Sequence, residues 1–273
     1  MMTIPHLLSF EGILNARDLG NYTGADGRPI RKGKLLRTAL LHDATDSDLA
    51  RMKEMYDVRL VIDLRTLHER TRTPDRMLPG ASFVSIEVVN TNGNLYKNML
   101  PLPGDTMTAD EKLLHFLFSP AAEMLTDGFY ISFIDDPYCQ AQYREFMQRV
   151  VQTEEGTILW HCSQGKDRTG LAAIFLLHAL GASRETLMTD FNYSKVAFAN
   201  DLTRISGLVR QAGGSEAIID MVEGLFSVNS RWMEDCLRHI DTAYGGLDAY
   251  LYNQLHVTEA DKQLLRARYL KAM

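Results

Sequence analysis

Cysteine is scarce in this 273-residue chain, which holds only Cys139, Cys162 and Cys236. An odd number at wide spacing argues against a disulfide framework and for a reducing compartment, so a cytoplasmic location is expected and a free thiol would survive there. Basic runs are missing as well. The formal net charge is -6 and no stretch of Lys and Arg is long enough to form a polybasic arm, which sets duplex nucleic acid aside as a partner. The longest apolar run, Leu171 to Leu177, stops at His178, too short for a bilayer, and Met1 to Phe10 lacks a basic segment followed by an apolar core. Neither a transmembrane segment nor general secretory export is therefore expected. Internal repeats and low-complexity tracts are absent too. What is there is 45% hydrophobic content, enough for one full core at a length near which cores begin to divide. A single domain over residues 1–273 is expected, with room for a small appendage.

Strand-like and helix-like segments alternate, which favours an α/β fold. Thr45-Asp-Ser-Asp48 has the form of a capping box, and Leu49, Met52 and Tyr56 follow on one face, predicting a helix from Asp46 to about Met55. Val58 to Leu64 is β-branched and apolar enough for a buried strand. A loop is expected at 71–80, a second strand at 83–89, and a polar surface connection at 90–104. Helices are expected at 111–125 and 140–152. Thr157 to Trp160 reads as a short buried strand, and Arg168 to Leu180 as a helix apolar on nearly every side that stops at Gly181. The remainder is mostly helical by pattern, with Thr258 capping a last helix that presents Leu264, Leu265 and Tyr269.

The ten residues from His161 to Gly170 join that second buried strand to that apolar helix. Unpaired backbone N–H groups and the positive end of the helix dipole converge there, and such a point binds phosphate. Cys162 sits at its rim, where the same field favours thiolate, the nucleophilic form. Arg168, separated from Cys162 by five residues, is placed to fold back and hold two phosphate oxygens with its planar fork, a geometry Lys cannot copy. Gly165 permits a backbone angle that other residues resist, and Gly170 permits close packing behind the loop. Thr169 is expected to offer its hydroxyl to the sulfur, and Ser163, Gln164, Gly165, Lys166, Thr169 and Gly170 to line the bound phosphate. A departing alkoxide or phenoxide needs a proton. Asp167, inside the loop, is the nearest donor, and the same carboxylate is able to activate the water that would split a cysteinyl phosphate. Asp63, at the end of the strand from Val58, is the rival, since ligands of α/β sheets gather at carboxyl ends of strands. Lys166 is expected to aim a further positive charge at the mouth.

The loop His161-Cys-Ser-Gln-Gly-Lys-Asp-Arg-Thr-Gly170 resembles the signature of the protein tyrosine phosphatase superfamily. Its Gly-Lys-Asp-Arg-Thr-Gly ending is similar to an atypical bacterial tyrosine phosphatase family with lipid-directed, multi-specificity members. Asn15-Ala-Arg-Asp-Leu-Gly20, Val61-Ile-Asp-Leu-Arg65 with Glu69 behind it, and Gly246-Leu-Asp-Ala-Tyr250 resemble that family in order and spacing, so the likeness runs from about Leu14 to Tyr269 and is weakest at 90–137. The resemblance implies a central, mostly parallel sheet flanked by helices, and a site with neither metal nor cofactor. It also implies hydrolysis of phosphotyrosine through a cysteinyl phosphate, with phosphoserine, phosphothreonine or phosphoinositides as further substrates on proteins or phospholipids. It implies a helical lid at 90–138, carrying Leu113, Leu114, Phe116, Leu117 and Phe118. Larger tyrosine phosphatases use a mobile Trp-Pro-Asp loop as acid; here Trp160 and Trp232 are followed by His161 and Met233, so the acid is expected to come from Asp167 or Asp63. Tensin-type lipid phosphatases place a second Lys directly after the cysteine, where this chain has Ser163, which counts against highly phosphorylated inositides.

Plainer readings stand beside these. Cys162 as a buried structural thiol is at odds with its charged neighbours. Asp63 is equally suited to partner an arginine of its own sheet, Arg65 and Glu69 have the spacing of a local ion pair, and Asn15, Arg17 and Asp18 suit a turn that ties the N-terminal segment to the sheet. His161 is expected to buttress the loop rather than transfer protons, and Asp135-Asp-Pro137 is ordinary turn chemistry. The apolar lid candidates equally suit a core or a dimer face. Two other functions remain: a phosphate-recognition module that does not turn over, and a sulfur-transfer or arsenate-reducing enzyme. Binding alone needs neither sulfur nor acid, and a reductase calls for a resolving cysteine, whereas Cys139 and Cys236 are remote in sequence.

Overall fold

A computed structural model of the protein describes residues 6–89, 108–119, 122 and 128–272. Six strands make one sheet: β1 (His6–Leu7), β2 (Arg17–Asp18), β3 (Leu35–Thr38), β4 (Val58–Asp63), β5 (Ser82–Ser85) and β6 (Thr157–His161), in the order β1-β2-β3-β6-β4-β5. The β3-β6-β4-β5 core is parallel, and the two N-terminal strands add antiparallel at one edge. The register sets Thr38, His161, Asp63 and Ser85 in a row across the carboxyl ends of the four parallel strands.

Twelve helices follow among the described residues: α1 (Asp46–Glu54), α2 (Leu67–Arg72), α3 (Ala109–Leu117), α4 (Phe129–Asp135), α5 (Pro137–Gln152), α6 (Asp167–Ala179), α7 (Arg184–Ala197), α8 (Ala199–Gln211), α9 (Glu216–Phe226), α10 (Ser230–Tyr244), α11 (Leu247–Asn253) and α12 (Glu259–Tyr269). Alternation along the strands divides the core between the two faces of the sheet. Leu35, Leu60, Ile62, Ile158 and Trp160 pack toward the large core that surrounds α6, while Leu36, Val61 and Leu159 face a smaller one with Met52 of α1. Val58 breaks the alternation and joins the smaller core because the register shifts between Val58 and Leu60, and a bulge flips the side on which a residue lands. From Leu171 to Leu177 every residue of α6 is buried, so this helix runs through the core, as its uninterrupted apolar sequence predicts.

The expected strands and helices are found with shifted ends. The strand expected at 83–89 is Ser82–Ser85, after which Ile86, Val88 and Val89 are buried without strand pairing; the loop expected from 71 begins after α2, and the helix expected at 140 opens at Pro137 because Asp136 caps it through Tyr138 N. Of the expected lid, 90–107, 120, 121 and 123–127 lie outside the described residues. Its described apolar side chains Leu113, Leu114, Phe116 and Leu117 pack with Ile205, Val209 and Val222 of α8 and α9 in a separate small core, while Phe118 is exposed. No helix among the described residues is long and apolar enough to cross a membrane.

Candidate active site

The loop lies at the carboxyl edge because β6 ends at His161 and α6 opens at Asp167. The helices α1, α2, α3 and α12 each close their first turn with a threonine capping box, but α6 starts from Lys166 with no side-chain cap. Its first N–H groups thus have no side-chain acceptor of that kind, which is the condition for binding an anion at a helix start.

The loop is held from behind by its carbonyls. Asn15 Nδ2 donates to Gln164 O at 3.1 Å and Gly165 O at 3.0 Å, and Arg37 Nη2 donates to Gly165 O at 2.9 Å and Lys166 O at 3.3 Å. A trans peptide points its N–H opposite to its C=O. Pulling these three carbonyls backward therefore turns the N–H groups of Gly165, Lys166 and Asp167 to the opposite side. Gly165 has φ +66°, and a Cβ there would lie 2.1 Å from the Thr38 carbonyl oxygen, so no other residue fits. The donors are themselves fixed. Asp190 of α7 accepts from Arg17 Nε at 2.8 Å and from Arg37 Nη1, and Arg17 Nη1 donates to Asn15 Oδ1 at 2.7 Å. Burial pushes the Asp190 carboxyl up, but the two guanidinium charges outweigh it and hold the group below the usual carboxylate range. Burial, with Arg17 beside it, pushes Arg37 down to about 10.

At the rim, Arg168 and Glu69 face each other as a two-pronged pair, with Nη1 to Oε2 and Nη2 to Oε1 both at 2.7 Å. Burial raises the Glu69 carboxyl, but Arg168, the Ser163 hydroxyl and Thr66 N together drive it well below the ordinary range. The Ser163 hydroxyl donates to Glu69 Oε1 at 2.6 Å, so its side chain supports the arginine's partner. Cys162 is a free thiol, 3% exposed. Thr169 is buried, and its hydroxyl has no hydrogen-bond partner among the described residues. Asp167 Oδ1 accepts from the Tyr130 hydroxyl at 2.6 Å, and its Oδ2 lies 2.8 Å from Lys166 Nζ. Lys166, expected to point at the mouth, is 2% exposed and donates to Gly224 O on α9 at 3.2 Å. Gly170 packs beside Phe191 and Arg37.

Asp63 is engaged elsewhere. Arg65 donates to it from its backbone N, Nε and Nη2, and Nη2 also reaches Asp75 Oδ2 at 2.6 Å. Behind them His161 Nε2 lies 3.1 Å from Asp75 Oδ2; burial pushes His161 down, but Asp75 and Asp63 outweigh it and raise it above its ordinary value. Among the described residues Asp63, Asp75 and His161 have the spacing of metal ligands, yet the Arg65 guanidinium already supplies their cation. The expected Arg65–Glu69 pair is thus replaced by Arg65 with Asp63 and Asp75, and by Glu69 with Arg168. Sequence reasoning also passed over Arg37, Asp190 and Tyr130. No local pattern marks them, since their partners lie 153, 173 and 37 positions away.

An anion loop at the carboxyl edge of a parallel sheet, carrying a cysteine and an arginine, is an arrangement suited to phosphoryl transfer. A model of the tyrosine phosphatase family matches residues 8–271. The chain belongs to that family and is a protein-tyrosine phosphatase. It is 32% identical over 267 residues to a presumed tyrosine-protein phosphatase of Cupriavidus necator, covering 97% of this chain and 89% of that protein. Similarity at 25% identity extends over 268 residues to the triple specificity protein phosphatase PtpB of Mycobacterium tuberculosis, covering 88% and 91% of the two chains. A tyrosine-protein phosphatase of Nostoc commune is 25% identical over 240 residues, covering 85% and 73%.

Proposed function

We propose that the protein hydrolyses phosphotyrosine through a phosphocysteine. The Cys162 thiolate attacks phosphorus, an S–P bond forms, the ester P–O bond breaks, and the proton of Asp167 passes to the departing oxygen. Water then attacks the phosphocysteine and gives a proton to Asp167, the S–P bond breaks, and thiolate and inorganic phosphate are released. Thr169, with its free hydroxyl, is the donor to the leaving sulfur. Arg168 and the backbone amides carry the charge of the transferring group, and no metal enters the scheme. The observation that carries this reading is the clamp on the Gln164, Gly165 and Lys166 carbonyls, since it turns consecutive amides together on one side of the loop. Asp167 is preferred to Asp63 as acid because its side chain lies in the loop and is 18% exposed, whereas that of Asp63 is 6% exposed and accepts from Arg65 on both oxygens. With Lys166 bonded inward, Arg168 is the loop cation left at the rim, which favours a single phosphate over several on one inositol. Phosphoserine and phosphothreonine are the further substrates of this reading, and the similarity to a protein named as a triple specificity phosphatase supports a range wider than one. The α3, α8 and α9 unit is read as the cover of the site, since Gly224 on α9 already meets Lys166.

The protein should hydrolyse p-nitrophenyl phosphate in the presence of a chelator, vanadate should inhibit it, and Cys162→Ser should abolish turnover. Mass spectrometry of quenched reactions should find a phosphate adduct at Cys162. Undiminished hydrolysis by Cys162→Ser would remove the covalent step. In a comparison of Asp167→Asn with Asp63→Asn, Asp167→Asn should lose most on the poorest leaving group.

A further inference from the structure

Two donors from different parts of the chain reach Asp167, one for each oxygen. Lys166 Nζ stands at Oδ2 and shares its protons with Gly224 O. Tyr130 is different. It comes from α4, its ring is held edge-on by Phe129 and Phe191 with centroids 5.0 and 5.5 Å away, and it is 1% exposed. Its hydroxyl has Asp167 Oδ1 as its one hydrogen-bond partner among the described residues. Burial and the Asp167 charge push that hydroxyl well above its ordinary pKa, so it keeps its proton and acts as a donor.

We propose that Tyr130 is a positioning residue for the proton donor: its hydroxyl holds Asp167 Oδ1 and so fixes the direction in which the carboxyl group points. The inference rests on the assignment of Asp167 as acid in the reading above. Proton transfer is sensitive to such alignment. The role also explains why a polar group from α4 is buried against Asp167 when a phenylalanine would fill the same ring space.

The test compares wild type, Tyr130→Phe, Asp167→Asn and the double variant on phenyl phosphate, whose leaving group needs a proton, and on dinitrophenyl phosphate, whose leaving group does not. Tyr130→Phe should lower kcat/KM, which reports the step that forms the phosphocysteine, by about 10- to 100-fold on phenyl phosphate and by less than about threefold on the dinitrophenyl ester. In the Asp167→Asn background it should add no further loss, because the group it positions is gone. The ratio of kcat/KM on the two esters does not depend on the folded fraction, so partial misfolding cannot imitate this result. Equal losses on both esters, or a full additional loss in the double variant, would overturn the inference while leaving the phosphatase reading in place. Equal losses for Asp167→Asn itself would instead overturn the acid assignment and this inference with it; a wild type inert on both esters would overturn the phosphatase reading.

Discussion

The charges behind the loop and the charges at its rim are built differently. Behind it, Arg17 and Arg37 are wholly buried and Asp190 is 1% exposed, each with several partners, whereas at the rim the side chains of Arg168, Asp167 and Glu69 are 12, 18 and 28% exposed. Buried ions without compensation are very unfavourable, so the hidden set can exist only in its paired form, which makes it suited to fixing backbone shape. The rim ions have water or substrate in reach, so they can exchange partners. This contrast predicts that mutations behind the loop act first on folding, and mutations at the rim first on rate.

The largest effect is expected at Asp190. Asp190→Ala leaves two buried guanidinium groups facing each other, and truncating one partner of a buried ion pair costs about 3–5 kcal/mol. Urea unfolding should show a loss of that order. A loss below about 1 kcal/mol with activity intact would mean that the hidden charges are not what shapes the loop. The rim counterpart is Glu69→Gln, which keeps the size of the side chain but frees Arg168 from its two-pronged hold. Its stability should fall by no more than about 1 kcal/mol, as for other partly exposed pairs, while kcat/KM drops by about 10- to 100-fold through misplacement of the guanidinium. If Glu69→Gln unfolded as readily as Asp190→Ala, the division between shape and rate would fail.

The same division explains what the sequence made legible. The strands β4 and β6 were readable because Leu60 to Ile62 and Ile158 to Trp160, buried on both faces, are apolar without alternation, and the capping box at Thr45 announced α1 because all its parts lie within four residues. The loop was readable for the same local reason. β3 was not, since Leu35–Thr38 carries an arginine that is tolerable in a sheet only because Asp190 meets it from α7. Glu69 was assigned to Arg65 by helical spacing, but Arg65 precedes the Thr66 cap and is not on the helix. Thr66-x-x-Glu69 is itself a capping box, and that signal would have located α2 and turned Glu69 away from Arg65. Tyr130 gave no signal, since nothing near it in the chain resembles a partner for Asp167.

The smallest effect sharpens the contrast from an intermediate position, the Asp63, Arg65, Asp75 and His161 cluster under the rim. His161 is buried, yet its folded pKa is raised above 6.5 because Asp75 and Asp63 outweigh burial and the nearby Arg65 charge. A group with a raised folded value binds its proton more tightly in the native state, so its contribution to stability is fully present below about pH 6.5 and is lost as pH rises through the folded value. Asp75 has the opposite sign. Its folded pKa is lowered, with burial opposing and His161 and Arg65 prevailing, so its share is present above its unfolded value and is lost in acid. The pair therefore stabilises the protein most between those two limits. Urea unfolding from pH 6 to 9 should show the wild type losing more stability across that interval than Asp75→Asn, in which the principal partner of His161 is neutral. Parallel profiles for the two proteins would mean that His161 is neutral in the folded state, and that the cluster belongs with the rim rather than with the charges behind the loop.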